Sequence, residues 1–349
     1  MGTIFIRVDA SDHIGMGHLM RCIDFANHAS EKGVNPVFLI STSSGKKIID
    51  DKGFECILIA KNYKHAFKEI KSLKSNYNSK VMLLDINYCS SIEQRHEYFD
   101  FLQELKTLDL FLITFEDLSS DVFPTDIVII PYVGVESLKV QKTPGSQYLL
   151  GHKFFPIREE FRKVAKNQTP QKDVKTILIT MGGSDKNQIT TKVVKALSKL
   201  KLNIHLKVVL GSLSQLSDEQ VKALLSNYDG SFQVVKDAHN MAELMNESQL
   251  AITNSGLTKY EMGNMGLPAI VISNNNKHAA LMVDFASYGT VVHLGANEDV
   301  TEENILDAVI ALMKDEIIRE KMSNAGKQLV DGNGIERIFD SIPREMIYA

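Results

Sequence analysis

An alternation of two patterns constrains the fold of this chain more than any other feature. Short, near-continuous apolar runs at 4–8, 36–41, 54–59, 81–85, 109–114 and 127–131 are separated by segments of helical spacing at 19–32, 46–52, 65–75 and 92–106. Strands apolar on successive residues are buried on both faces, and strands separated by helices pair in parallel. Glycines follow two of the predicted helices, Gly33 and Gly53, as stop signals. A break at 132–175 ends in a polar stretch, 163–175, with no apolar period, which reads as a linker. The alternation then restarts. Strands are predicted at 176–180, 205–210, 232–235, 250–253, 269–272 and 290–294, with helices between them and at 301–315, 317–330 and 334–342. The expected fold is α/β, with two Rossmann-like, doubly wound domains around a central cleft. These domains cover 1–162 and 176–333, and a last helix within 334–349 is free to pack on either. For 349 residues, two cores are the natural expectation.

Charge and cysteine usage exclude several function classes. The net charge is -4, with no basic block and no zinc-finger spacing, so nucleic acid is not an expected partner. No apolar run approaches the ~20 residues that span a bilayer. The N-terminus enters a strand directly, without a basic region and apolar leader. A cytoplasmic location without stable membrane association is expected. Cys22, Cys56 and Cys89 are scattered in apolar contexts and read as reduced thiols. With no His-Glu-x-x-His motif and no cysteine cluster, neither a metal nor another cofactor is implied. P-loop and Gly-x-Ser-x-Gly signatures are absent as well.

Five strand ends carry polar motifs. The first strand feeds Gly15-Met16-Gly17, which suits a tight bend into a helix, and His18 follows at or near the helix N-terminus. An imidazole at the carboxyl end of a parallel sheet is a candidate base, and Asp9 and Asp12 lie close by in sequence. Asp85, ending an apolar strand ahead of Asn87 and Tyr88, either lines the crevice or organises a turn; Glu116-Asp117 invites the same two readings. Gly182, Gly183 and Ser184 form a strand-to-helix turn suited to an anion, and Asp185 or Asn187 could cap the helix that follows. Ser255, Gly256, Leu257 and Thr258 form a second such turn, with Glu261 one helical turn on, placed for ribose hydroxyls. Two anion-ready junctions in one half favour a diphosphate over a carboxylate.

These motifs resemble the PseG/SpsG-like family. The likeness begins at Asp9-Ala10-Ser11 and runs through Ile14-Gly15-Met16-Gly17-His18-Leu19-Met20-Arg21-Cys22. It continues at Tyr148-Leu149-Leu150-Gly151, at Arg158-Glu159-Glu160-Phe161, and at Thr180 to Asp185 with Asn187 and Thr190. Further blocks are Gly256 with Thr258, Tyr260 and Glu261, then Gly266-Leu267-Pro268, and Val330-Asp331-Gly332 with Gly334 and Arg337. Asn87, Ser255 and the run Asn274-Asn275-Asn276-Lys277-His278 depart from the family pattern. The resemblance implies the GT-B architecture and a metal-free UDP site in the second half. It implies that His18 is the catalytic base and that Tyr88 lies near the sugar, and Asp9, Gly15, Gly17, Arg21, Asp85 and Tyr88 are the expected substrate-binding residues. The implied activity is hydrolysis of a UDP-linked 2,4-diacetamido-2,4,6-trideoxyhexose in pseudaminic acid synthesis, with a UDP-sugar as the one expected partner. A GT-B glycosyltransferase, a non-catalytic nucleotide-sugar binding protein and an epimerase are the alternatives.

Overall fold

The structure, a computed structural model, describes residues 2–9, 17–86, 92–116, 122–137, 142–165 and 173–348. The chain divides into two compact units, Met1–Arg158 with Asn333–Ala349, and Glu159–Gly332.

In the first unit, β1 (Thr3–Val8), β2 (Asn35–Ile40), β3 (Glu55–Leu58), β4 (Val81–Asp85), β5 (Phe111–Phe115), β6 (Ile127–Ile130) and β7 (Gln147–Leu150) form one parallel sheet, ordered β3-β2-β1-β4-β5-β6-β7. The connecting helices are α1 (Gly17–Glu31), α2 (Ser43–Asp51), α3 (Tyr63–Tyr77) and α4 (Ile92–Lys106). Successive strand residues face opposite sides. Accordingly Ile4, Ile6 and Val8 pack with Leu19 and Phe25 of α1, while Phe5 packs in a second core with Tyr98 and Phe101 of α4. Arg7 is the exception within β1. It is buried, pairs with Asp9 at 2.9 Å and donates to the Val8 carbonyl at 2.8 Å.

The second unit opens with α5 (Glu159–Ala165). Its sheet contains β8 (Thr176–Thr180), β9 (His205–Leu210), β10 (Ser231–Lys236), β11 (Leu250–Asn254), β12 (Ala269–Ser273) and β13 (Val291–Ala296), ordered β10-β9-β8-β11-β12-β13 and again parallel. Its remaining helices are α6 (Ile189–Leu197), α7 (Asp218–Leu224), α8 (Met241–Asn246), α9 (Thr258–Met265), α10 (Asn276–Ser287), α11 (Glu302–Lys314) and α12 (Glu316–Leu329). The chain then returns to the first unit as α13 (Gly334–Asp340) and α14 (Arg344–Ile347). Phe339 of α13 lies 6.0 Å from the Phe25 ring and 5.3 Å from the His28 ring, which places the last helices on the first unit.

A strand and an α-helix fall inside the stretch read as a break. β7 is a four-residue strand at the sheet edge, too short to show a period. The helix α5 starts at Glu159, so the first part of the expected linker is helical, and the second unit begins earlier than 176. Among the described residues, no helix is long and apolar enough to cross a membrane.

Both sheets reverse their direction of winding at one place, between β1 and β4 in the first and between β8 and β11 in the second. Outside the carboxyl ends of the strands at such a switch point, the flanking connections run to opposite faces and leave a crevice.

Candidate functional site

Of the singled-out residues of the first unit, His18, Arg21 and Asp85 meet at its switch point. Val8 at the end of β1 is in register with Asp85 at the end of β4. On α1, His18, Arg21 and Cys22 share one face because of their three- and four-residue spacing. All three reach Asp85. His18 Nδ1 lies 2.6 Å from Oδ1, Arg21 Nη2 donates to Oδ1 at 2.6 Å while its Nε donates to Oδ2, and Cys22 Sγ donates to Oδ2 at 3.6 Å. The Arg21 guanidinium also stacks on Phe115 of β5, 4.5 Å from the ring centre.

Charge in this cluster is settled by proximity. Burial alone would raise the Asp85 carboxyl, but the Arg21 guanidinium and then His18 outweigh it and hold Asp85 down to about 2. Burial works against the Arg21 cation too, and Asp85 more than restores it, so its proton is held more tightly than usual. Burial first, and Asp85 second, push the Cys22 thiol well up, which keeps it protonated and unreactive. An ionised carboxylate only accepts hydrogen bonds. At 2.6 Å from Asp85, His18 Nδ1 must therefore carry a hydrogen, and the neutral ring keeps its lone pair at Nε2. The contact of 3.1 Å between Arg21 Nη2 and the same Nδ1 then joins two donors and adds no hydrogen bond. The His18 side chain remains 25% exposed. An oriented, partly open imidazole whose Nε2 meets no hydrogen-bond partner among the described residues can take a proton there.

Asp85, one of the expected substrate-binding residues, has a side chain only 1% exposed, with both oxygens hydrogen-bonded to His18, Arg21 and Cys22. Arg21, itself 10% exposed, is spent on that carboxylate. Asp9 joins the cluster through its amide, which donates to the Asp85 carbonyl at 3.3 Å, while its carboxylate meets Arg7. Gly17 is the first residue of α1, and among the described residues nothing lies within 4 Å of an added Cβ. Gly15 and Tyr88 lie outside the described residues, as do Asp12, Asn87 and Asp117. Glu116 is buried and its amide donates to the Ile129 carbonyl at 2.9 Å.

In the second unit the two glycine turns flank the other switch point, joined by a side chain that sequence reasoning did not assign. Asn254 at the end of β11 donates from Nδ2 to the Met181 carbonyl at 2.6 Å and accepts at Oδ1 from the Gly256 amide at 2.9 Å. The Gly256 N–H, expected in the anion turn, is used in that bond. The signal for Asn254 is the one that marks Asp85, a polar residue closing an apolar strand. Gly182 takes a φ of 73°, open to glycine at little cost, and its carbonyl and that of Gly183 would lie 2.3 Å from a Cβ on Gly211. Asp185 accepts from the amides of Ile189 and Thr190, both at 2.9 Å, so the start of α6 is already capped by a carboxylate. The anion reading of Gly182, Gly183 and Ser184 therefore rests on their own peptide groups, without help from that helix end. The start of α9 differs. Its N-cap residue, Leu257, makes no side-chain cap, and Ser255 and Thr258 are half-buried beside it. Glu261 lies half-buried in the same first turn.

Lys259 was also passed over. It is buried on α9, and its ammonium donates to the carbonyls of Ser255 and Gly256, both at 3.0 Å. Asn187 ties this end of the sheet together further, donating to the Asn274 carbonyl at 2.6 Å. His278, in the run that departs from the family pattern, has its amide capped by Asn275 at 3.0 Å. Among the described residues, no three His, Cys, Asp or Glu side chains converge as a metal site would require.

With this geometry in hand, known proteins place the chain. Residues 176–335 match the glycosyltransferase family 28 C-terminal domain. An uncharacterized protein of Methanocaldococcus jannaschii is 32% identical over 83% of this chain, which spans 60% of that relative's length. The spore coat polysaccharide biosynthesis protein SpsG of Bacillus subtilis is 24% identical over 95% of both chains. The chain has the GT-B fold and is similar to the PseG/SpsG-like family. MurG of Acinetobacter baumannii superposes with a TM-score of 0.69 at 15% identity, covering 97% of this chain and 99% of MurG. The UDP-GlcNAc 2-epimerase of Neisseria meningitidis, bound to UDP-GlcNAc, superposes with a TM-score of 0.65 at 12% identity, covering 97% and 98%. At those identities the likeness to both structures concerns the GT-B fold. Within this glycosyltransferase-like family, Asn254 and Lys259 are the two residues the geometry adds to those found from motifs.

Proposed function

We propose that the protein is a metal-independent UDP-sugar hydrolase. It releases UDP and a free 2,4-diacetamido-2,4,6-trideoxyhexose in the synthesis of a pseudaminic-type acid. The observation that carries the reading is the 2.6 Å contact between His18 Nδ1 and the ionised Asp85, which leaves Nε2 as the basic nitrogen. In this reading the first unit holds the sugar and the base, and the second holds UDP. Water attacks the anomeric carbon on the face opposite the diphosphate and inverts it. The new bond joins that carbon to the water oxygen, and the bond from carbon to diphosphate oxygen breaks, its electron pair leaving with UDP. The water proton passes to His18 Nε2, and the imidazolium is balanced by Asp85. Peptide N–H groups of Gly182, Gly183 and Leu257, with the hydroxyls of Ser184, Ser255 and Thr258, stabilise the charge on the leaving diphosphate. Glu261 accepts from the ribose. Support for the nucleotide comes from the epimerase of the same fold, bound to UDP-GlcNAc, and SpsG, a spore coat polysaccharide biosynthesis protein, supports a role in carbohydrate synthesis.

A second reading, a glycosyltransferase with an acceptor hydroxyl in place of water, is favoured by the glycosyltransferase name of the domain matched at 176–335. One experiment separates them. The protein is incubated with a panel of UDP-sugars in H₂¹⁸O without added metal. Hydrolysis at the anomeric carbon puts the label in the free sugar. Label in the phosphate overturns the mechanism, and UDP released only when an acceptor is added establishes the transferase.

A further inference from the structure

Lys259 is in an unfavourable place for a cation. Only 9% of it is exposed. It lies on the first turn of α9, where the helix dipole already contributes positive potential. Its company is two carbonyls and two aromatic rings, with Nζ 4.8 Å from the Tyr260 centroid and 5.2 Å from that of Phe285. Burial, with no charged neighbour offsetting it, pulls the ammonium down to about 8. A buried cation is ordinarily paired. Two of its three donors are used, and both act on the same turn. In a trans peptide the C=O and N–H point in opposite directions. With the Gly256 carbonyl drawn to Lys259, the N–H of Leu257 points away from the buried side, toward the side where Leu257 itself is 47% exposed.

We propose that Lys259 is a positioning and charge-supplying residue of a diphosphate site. Its ammonium fixes the Ser255–Gly256 turn from behind and supplies positive charge that a nucleoside diphosphate at the start of α9 compensates. The inference rests on the UDP reading above and adds to it a residue whose effect reaches the ligand through the turn. The test is calorimetric binding of UDP, UMP and uridine to the full chain and to Lys259→Met, Lys259→Gln and Lys259→Arg. UDP binding is expected to weaken about 10- to 100-fold in the Met and Gln variants, while uridine binding changes less than about 2-fold. Lys259→Arg, which keeps the charge, restores UDP binding to within about 5-fold of wild type. Retained uridine binding shows that a variant is folded; if the Met variant is not, the Gln variant decides. UDP binding by Lys259→Gln equal to wild type overturns the role of Lys259 alone. Equal loss of UDP and uridine in all three variants also overturns it, by reducing Lys259 to a scaffold. A wild-type protein that binds no UDP overturns the UDP reading itself, and this inference with it.

Discussion

At the scale of the residue, the first unit's chemistry depends on where one proton sits. Asp85 is ionised and accepts from His18 Nδ1, so a base at Nε2 exists only while that carboxylate is present. Replacing His18 by Asn removes the base and should lower turnover about 10²- to 10⁴-fold while leaving UDP affinity within about 2-fold, as read by initial rates and calorimetry. An Asp85→Asn change keeps the shape but cannot balance an imidazolium. It should cost about 10²-fold or more in turnover, and about 3–5 kcal/mol in stability because Arg21 is left buried without its partner. The sign of the pH effect follows from the lowered carboxyl. Its stabilisation is complete above the ordinary value of 3.8 and is lost as pH falls through about 2. Thermal melts of wild type should therefore show stability falling between about pH 4 and pH 2, with that component missing in Asp85→Asn. Identical acid profiles would remove Asp85 from the argument. His18 was legible in the sequence through its glycine turn. Asp85 was legible as a polar strand end, but its inward orientation was not, because Arg21, stacked on Phe115, reaches it only in the folded sheet.

At the scale of the element, the alternation of apolar strands and helices carried most of the architecture. Strand order was not legible, since local pattern does not say which crossover returns to which neighbour, and it is strand order that creates the two switch points. That also explains why Asn254 was overlooked. Its partners, the Met181 carbonyl and the Gly256 amide, belong to turns following strands that are far apart in sequence and adjacent in the sheet. In sequence the two anion motifs stand apart, whereas the fold makes Asn254 the strut between them. Lys259 escaped for a related reason, because a lysine in a first turn reads as solvated until Phe285 of α10 covers it. Asn254→Ala strands a carbonyl and an amide and should lower stability by about 1–3 kcal/mol in urea titrations. By letting the two turns move apart, it should also weaken UDP about 10-fold. Unchanged UDP affinity in a destabilised Asn254→Ala protein would make the strut structural only.

At the scale of the whole molecule, the chain order and the unit order disagree. The chain leaves the first unit after Arg158, builds the second, and comes back at Asn333 to finish the first. Sequence pattern found the last helix but could not assign it, because an apolar face shows that a helix is buried and not against what. The structure answers with Ile335, Ile338 and Phe339, buried in the core that also contains Ile4 and Leu19. The consequence is testable because α12 and α13 are neighbours in sequence but members of different units. Phe339→Ala removes a ring that is 4% exposed and in contact range of Phe25 and His28, and such truncations cost about 3–5 kcal/mol. That loss should fall on the first unit alone. Hydrogen exchange read by mass spectrometry should accelerate in peptides from β1, α1 and α13. Peptides from α12 and α9, which pack on each other within the second unit, should keep their wild-type rates. Acceleration that instead followed the sequence, reaching α12 while sparing β1, would mean that the last helix stabilises the unit it follows and not the unit that begins the chain.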